Sequence, residues 1–140
     1  MTYTDLIQML EPIGLPIAEP GVTTRKLPCI AIDPVGMGTA DGYSWLYEEC
    51  DIHVVVPMAQ NNAKQFYELH AYTVQVWQQL WGSAVQVDED GPLYGSTDSD
   101  PAQLFFTLSV RFPGSDLCAD PLPVPAGLTL TDESGVPIST

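Results

Sequence analysis

The chain has 140 residues, 45% of them hydrophobic, and carries 18 acidic against 4 basic side chains for a formal net charge of −14. Such a surface repels phosphate backbones and anionic membranes, so bulk attraction to nucleic acid or lipid is excluded. Three Trp, six Tyr and four Phe supply core-forming side chains that acidic disordered tails lack, so the composition is that of one folded domain.

In chain order, Thr2 stands three residues before Asp5, a capping-box spacing, and Leu6, Ile7, Met9 and Leu10 follow at roughly helical intervals. Pro12, Gly14 and Pro16 end this short helix, and residues 12–26 form a connector. Leu27–Ile32 is a predicted strand. Asp33–Gly42 reads as a turn-rich loop closing on the hairpin dipeptide Asp41-Gly42. Tyr43–Val56 is the clearest strand. Leu46, Glu48, Cys50, Ile52, Val54 and Val56 alternate onto a largely apolar face, whereas Trp45, Tyr47, Glu49, Asp51, His53 and Val55 form a face suited to solvent or a partner.

Asn61 or Asn62 caps a long predicted helix reaching about Trp81, with Gly82 as its C-cap. Phe66, Leu69, His70, Thr73, Trp77 and Leu80 make one stripe on it, and Tyr67, Ala71, Val74 and Trp81 a second beside it. Ala84–Val87 suits a short strand. Asp88–Pro92 is an acidic turn, and Gly95–Pro101 a polar loop. Ala102–Phe112 is a second patterned strand, with Leu104, Phe106, Leu108, Val110 and Phe112 on its apolar face. The last 28 residues contain Pro113, Pro121, Pro123, Pro125 and Pro137 but no Lys or Arg, and read as an extended arm with one brief strand at Leu128–Thr131.

The expected fold class is α+β: a core of residues 1–112 and an arm of residues 113–140. The core is a two-layer sandwich in which one long helix packs an antiparallel or mixed sheet of about four strands.

Few motifs carry chemistry. Gly36-Met37-Gly38 lacks the further glycine and the Gly-Lys-Ser/Thr of a phosphate cradle. Cys50 and His53, three apart on a strand, point to opposite faces and do not suit joint ligation of zinc, even with His70 nearby. Asp88, Glu89, Asp90, Asp98 and Asp100 lack the alternation of a calcium loop. Glu48 and Glu49 face opposite ways, so they make no acid/base pair. Cys29, Cys50 and Cys118 imply no disulfide framework, and no signal-like or bilayer-spanning apolar run occurs. No enzyme, metal or cofactor is therefore expected, and the chain is expected to be made and used inside a cell.

A binding or assembly role remains. Candidate interface anchors are Trp45 and Tyr47 on the outer sheet face, Trp81 at the helix end, and Pro121, Pro123 and Pro125 in the arm. An acidic DNA mimic would need carboxylates in a row, yet between Asn61 and Trp81 the long helix carries only Glu68.

Residues 1–112 resemble, in layout, the tail terminator proteins of long-tailed bacteriophages. The resemblance rests on the short first helix, the strand Leu27-Pro28-Cys29-Ile30-Ala31-Ile32, the Gly-rich loop, and the acid-bearing strand ending His53-Val54-Val55-Val56-Pro57. The helix with Trp77 and Trp81, the acidic loop and the strand Leu104–Phe112 complete it. Related neck and tail-completion proteins share these patterns. The resemblance implies a homo-oligomeric ring, usually six-fold, that caps the tail tube protein and docks to a head-tail connector or stopper protein in the virion. DNA would pass through its lumen without specific binding. Candidate lumen-facing acids are Asp88, Glu89 and Asp90 on the loop, or Glu49 and Asp51 on the sheet.

Overall fold

A computed structural model of the chain describes residues 1–23, 25–39, 42–58, 62–98 and 102–123. Asp41, Asn61, Asp100, Pro125 and Leu128–Thr131, named above, lie outside these residues.

Helix α1 (Tyr3–Leu10) starts at the expected capping box. The Asp5 N–H donates to Thr2 Oγ1 at 3.2 Å and the Thr2 N–H donates to Asp5 Oδ2 at 2.7 Å. The Thr2 backbone N–H, and after it the Thr2 hydroxyl donating to the same Oδ2 at 3.1 Å, hold the Asp5 carboxyl below the ordinary aspartate value. Leu6 and Leu10, one helical turn apart, are fully buried. A 3-10 turn over Glu11–Ile13 follows, and Gly14, at φ +86°, turns the chain away in a conformation that side chains with a Cβ disfavour.

The remaining elements are β1 (Ile17–Ala18), β2 (Cys29–Thr39), β3 (Trp45–Pro57), α2 (Asn62–Leu80), β4 (Gln86–Val87), β5 (Leu93–Thr97) and β6 (Gln103–Asp116). The strands form one six-stranded sheet in the order β1-β2-β3-β6-β4, and β5 also pairs with β6. β1 is parallel to β2 and all other pairs are antiparallel, so the sheet is mixed.

The α+β class stands, with two corrections. The sheet has six strands among the described residues rather than about four, and both helices contribute to the layer over it. Leu6 and Leu10 of α1 share one core with Leu69, Val76 and Leu80 of α2 and with Ile30, Ile32, Ile52, Val54, Leu104 and Leu108 of the sheet. Tyr3 meets Phe112 edge-on, ring centroids 5.1 Å apart.

The extra strand length comes from segments rich in Gly and Pro. β2 runs on through Asp33–Thr39, where a loop was expected, and slips register between Pro34 and Gly36 as it follows β3. Pro34 is tolerated because β1 pairs only with Ile30 and Ala31, so no described strand lies beyond this half of β2 to need its missing N–H. β5 replaces the first part of the expected polar loop. Gly95 is required there, since a Cβ would stand 2.6 Å from Phe105 Cζ in the ring that covers it. β6 continues past Pro113 to Asp116, so the sheet takes in the first residues assigned to the arm.

Helix α2 differs from its expected packing. Its buried residues are Leu69, Thr73, Val76 and Leu80, with the Thr73 hydroxyl donating to the Leu69 carbonyl at 2.8 Å. His70 is exposed, and the second stripe meets solvent rather than core, Tyr67 at 71% and Trp81 at 82% exposure. Gly82 ends the helix at φ +76°. No helix among the described residues is long and apolar enough to cross a membrane.

Candidate interaction surface on the open sheet face

Both helices cover one face of the sheet, and the period-two alternation of β3 and β6 sends the polar partners of the core residues to the other. Register then sets their neighbours. Asp33, Asp51 and Ser109 fall on one cross-strand row, Ala31, His53 and Thr107 on the next, and Glu49 and Arg111 on a third.

The rows are hydrogen-bonded. Arg25 Nη2, from the segment before β2, donates to both Asp33 carboxylate oxygens at 3.1 and 3.0 Å. His53 Nε2 lies 2.9 Å from Asp33 Oδ2, and His53 Nδ1 lies 2.8 Å from the Thr107 hydroxyl. In the neutral ring, Nε2–H then donates to Asp33 and Nδ1 accepts from Thr107, so each polar atom has a use. Ser109 Oγ donates to Asp51 at 3.0 Å. Arg111 pairs with Glu49 and places its guanidinium 4.0 Å from the centre of the Tyr47 ring. The hydrogen bond to Glu49 raises the Arg111 pKa further.

The two sets of acids that the sequence leaves as alternatives come together. A groove of about 500 Å³ crosses this face and is lined by Glu49 and Asp51 from β3, Arg111 from β6, and Asp88 and Glu89 from the turn after β4. The turn reaches the sheet because the Asp88 N–H donates to the Ser109 carbonyl at 2.9 Å, continuing the β4–β6 pairing. Asp90 is exposed but stands apart from the groove; its N–H donates to Asp88 Oδ1 at 3.2 Å, which shapes the turn.

The expected anchors divide. Trp81 is open, whereas Tyr47 is half-buried beneath Arg111 and against Gly38, where an added Cβ would stand 2.6 Å from its hydroxyl. Trp45 is half-buried beside Tyr43, centroids 5.7 Å apart. Pro121 and Pro123 are exposed and lie beyond β6. The ion pair of Glu49 with Arg111 and the Arg25–Asp33–His53 chain are not visible in the sequence, because both depend on strand register. The signal that could have found Asp33 is its even spacing from Cys29 and Ala31, which continues the strand pattern past Ile32.

The two buried cysteines do not suit covalent chemistry. Burial pushes the Cys50 thiol up to about 12, with Asp51 and Glu48 adding to the rise, and burial also raises Cys29, so both stay protonated and poorly nucleophilic. Among the described residues no three His, Cys, Asp or Glu side chains gather as they would to hold a metal ion. What the face offers is a net negative concave wall with part of its charge locked into internal pairs. No model of a known protein family matches the chain, and no curated protein does.

Proposed function

We propose that the chain is a structural virion protein of the tail terminator type, a ring subunit that caps the tail tube, joins it to the head connector, and lets DNA pass. The observation that carries this reading is the gathering of Asp51, Asp88 and Glu89, beside the Glu49–Arg111 pair, around one groove on the sheet face opposite the helices. A wall of fixed carboxylates repels phosphate over roughly the 8 Å Debye length of physiological salt, so a duplex slides past without adhering. The groove holds the loop and sheet acids together, which supports reading them as one lumen-facing set rather than two alternatives. Trp81, exposed on the helix side, remains available to a neighbouring subunit, the tube protein or the connector. A DNA-mimic inhibitor is less well supported, since Glu49 is neutralised by Arg111 and the long helix carries only Glu68 as an acid.

The test is negative-stain microscopy of the protein alone and mixed with tail tubes. Rings, or caps on tube ends, are expected. A chain that stays monomeric at the highest attainable concentration and leaves tube ends bare overturns the reading.

A further inference from the structure

A second groove, of about 460 Å³, lies between the C-terminal end of α2 and β4, and Asp88 and Glu89 separate it from the acidic sheet face. Its other walls are apolar: Leu80, Val85 and Val87 line it with two indoles, Trp77, 36% exposed, and Trp81, 82% exposed, one helical turn apart. Three features make this a prepared surface rather than a stray apolar patch. The Trp77 ring is held in place, because it lies against Gly91, where an added Cβ would come within 3.3 Å of Cη2. Gly91, at φ +67°, donates its N–H to the Asp88 carbonyl at 2.9 Å, so the acidic turn is tied in position beside that indole. The last turn of α2 carries no basic residue, so no side-chain cation offsets the negative end of the helix dipole beside the same two carboxylates, although Ser83 Oγ donates to the Leu80 carbonyl at 2.6 Å.

Indole faces, carboxylates and a helix C-terminal turn without a basic residue all favour a cation with apolar flanks. We propose that this groove is the docking site for an arginine- or lysine-bearing segment of a different protein, with the cation lying over Trp81 and its charge met by Asp88 and Glu89. Another copy of the chain is a poor occupant. It brings a charge of −14 and only four basic side chains, of which Arg25 and Arg111 are already paired with Asp33 and Glu49. The inference does not require that the chain form a ring, although Asp88 and Glu89 line both grooves and a cation held here would offset part of the charge they present to a lumen.

The test is calorimetric and NMR titration of the full chain with a blocked tetra-arginine peptide. Shifts centred on residues 77–91 are expected. Trp81→Ala should weaken binding by about threefold to tenfold, the scale of one cation–π contact. The pair Asp88→Asn and Glu89→Gln should weaken it comparably, and more so at low salt. The pair Glu11→Gln and Glu19→Gln removes the same charge near β1, at the opposite edge of the sheet, and should leave binding unchanged. Equal loss in both charge pairs, or shifts spread over every acidic surface with Trp81→Ala silent, overturns the proposal. So does a Trp81→Ala variant that binds the peptide normally but loses self-association, which would make a second copy the occupant. If Trp81→Ala fails to fold, Glu89→Gln alone carries the same comparison.

Discussion

The two faces of the sheet are built from the same strands and alternate residue by residue, yet they are stabilised in different ways. Beneath the helices, Ile32, Ile52, Val54 and Leu108 are fully buried, and their contribution scales with apolar area removed from water. On the open face, Asp33, Asp51 and Glu49 keep substantial contact with solvent, and their hydrogen bonds replace bonds to water at small net gain. The covered face therefore supplies most of the apolar burial, although Cys29, Ala31 and Val55 are also buried on the other face, and the polar rows of that face determine what it meets. That separation leaves the open face free to carry a charge pattern a core would not tolerate.

Adjacent residues of β6 give the widest test of this contrast. Leu108→Ala should cost about 3 kcal/mol in chemical denaturation, while Ser109→Ala, its immediate neighbour on the other face, should stay within about 0.5 kcal/mol. Equal losses would mean the open face is structural. Asp33→Ala is the intermediate case. It removes the shared partner of Arg25 and His53, and as Asp33 is 43% exposed a loss of about 1 kcal/mol is expected by the same measurement. Glu49→Gln should cost about 0.5 kcal/mol at low salt, and the difference should shrink as salt is added, because its pair with Arg111 is solvent-screened.

The smallest effect concerns pH. Asp5 is held below its ordinary value by its bonds to Thr2, so the folded state favours its ionised form. Its contribution is fully present above the unfolded-state value and fades as pH falls through the lower folded one. Asp5→Asn should therefore flatten the acid limb of a stability-versus-pH curve without changing stability's response above neutral pH. An unchanged acid limb would show that the ionised Asp5 carboxylate contributes nothing to folding.

Much of this was legible. Tyr43–Val56 and Ala102–Phe112 announce themselves because β-branched and aromatic residues recur with period two, and Thr2 with Asp5 marks the first helix. The far half of β2 and β5 were hidden for one reason. Pro34, Gly36, Gly38 and Gly95 carry turn chemistry in isolation, but long, well-patterned neighbours recruit them into strands, and the rings of Tyr47 and Phe105 occupy the space left at Gly38 and Gly95. Tyr67, Val74 and Trp81 were expected to widen the buried side of α2, since a broad apolar sector on a helix looks the same whether it faces a core or a partner. The meeting of Glu49 and Asp51 with Asp88 and Glu89 could not be read at all. It depends on β4 pairing with Val110 and Arg111, a contact between residues far apart in the chain.

The outer half of β2 has a consequence for life at high concentration. Among the described residues no strand pairs with this outer edge; such edges are templates on which identical chains stack, and Val35 and Met37 make this one apolar, at 62% and 66% exposure. Pro34 and the register slip beside it interrupt the row of backbone donors that a visiting strand would need to match. Together with the mutual repulsion of chains carrying fourteen surplus negative charges, that interruption works against runaway aggregation while leaving assembly to surfaces that are chosen by shape and charge.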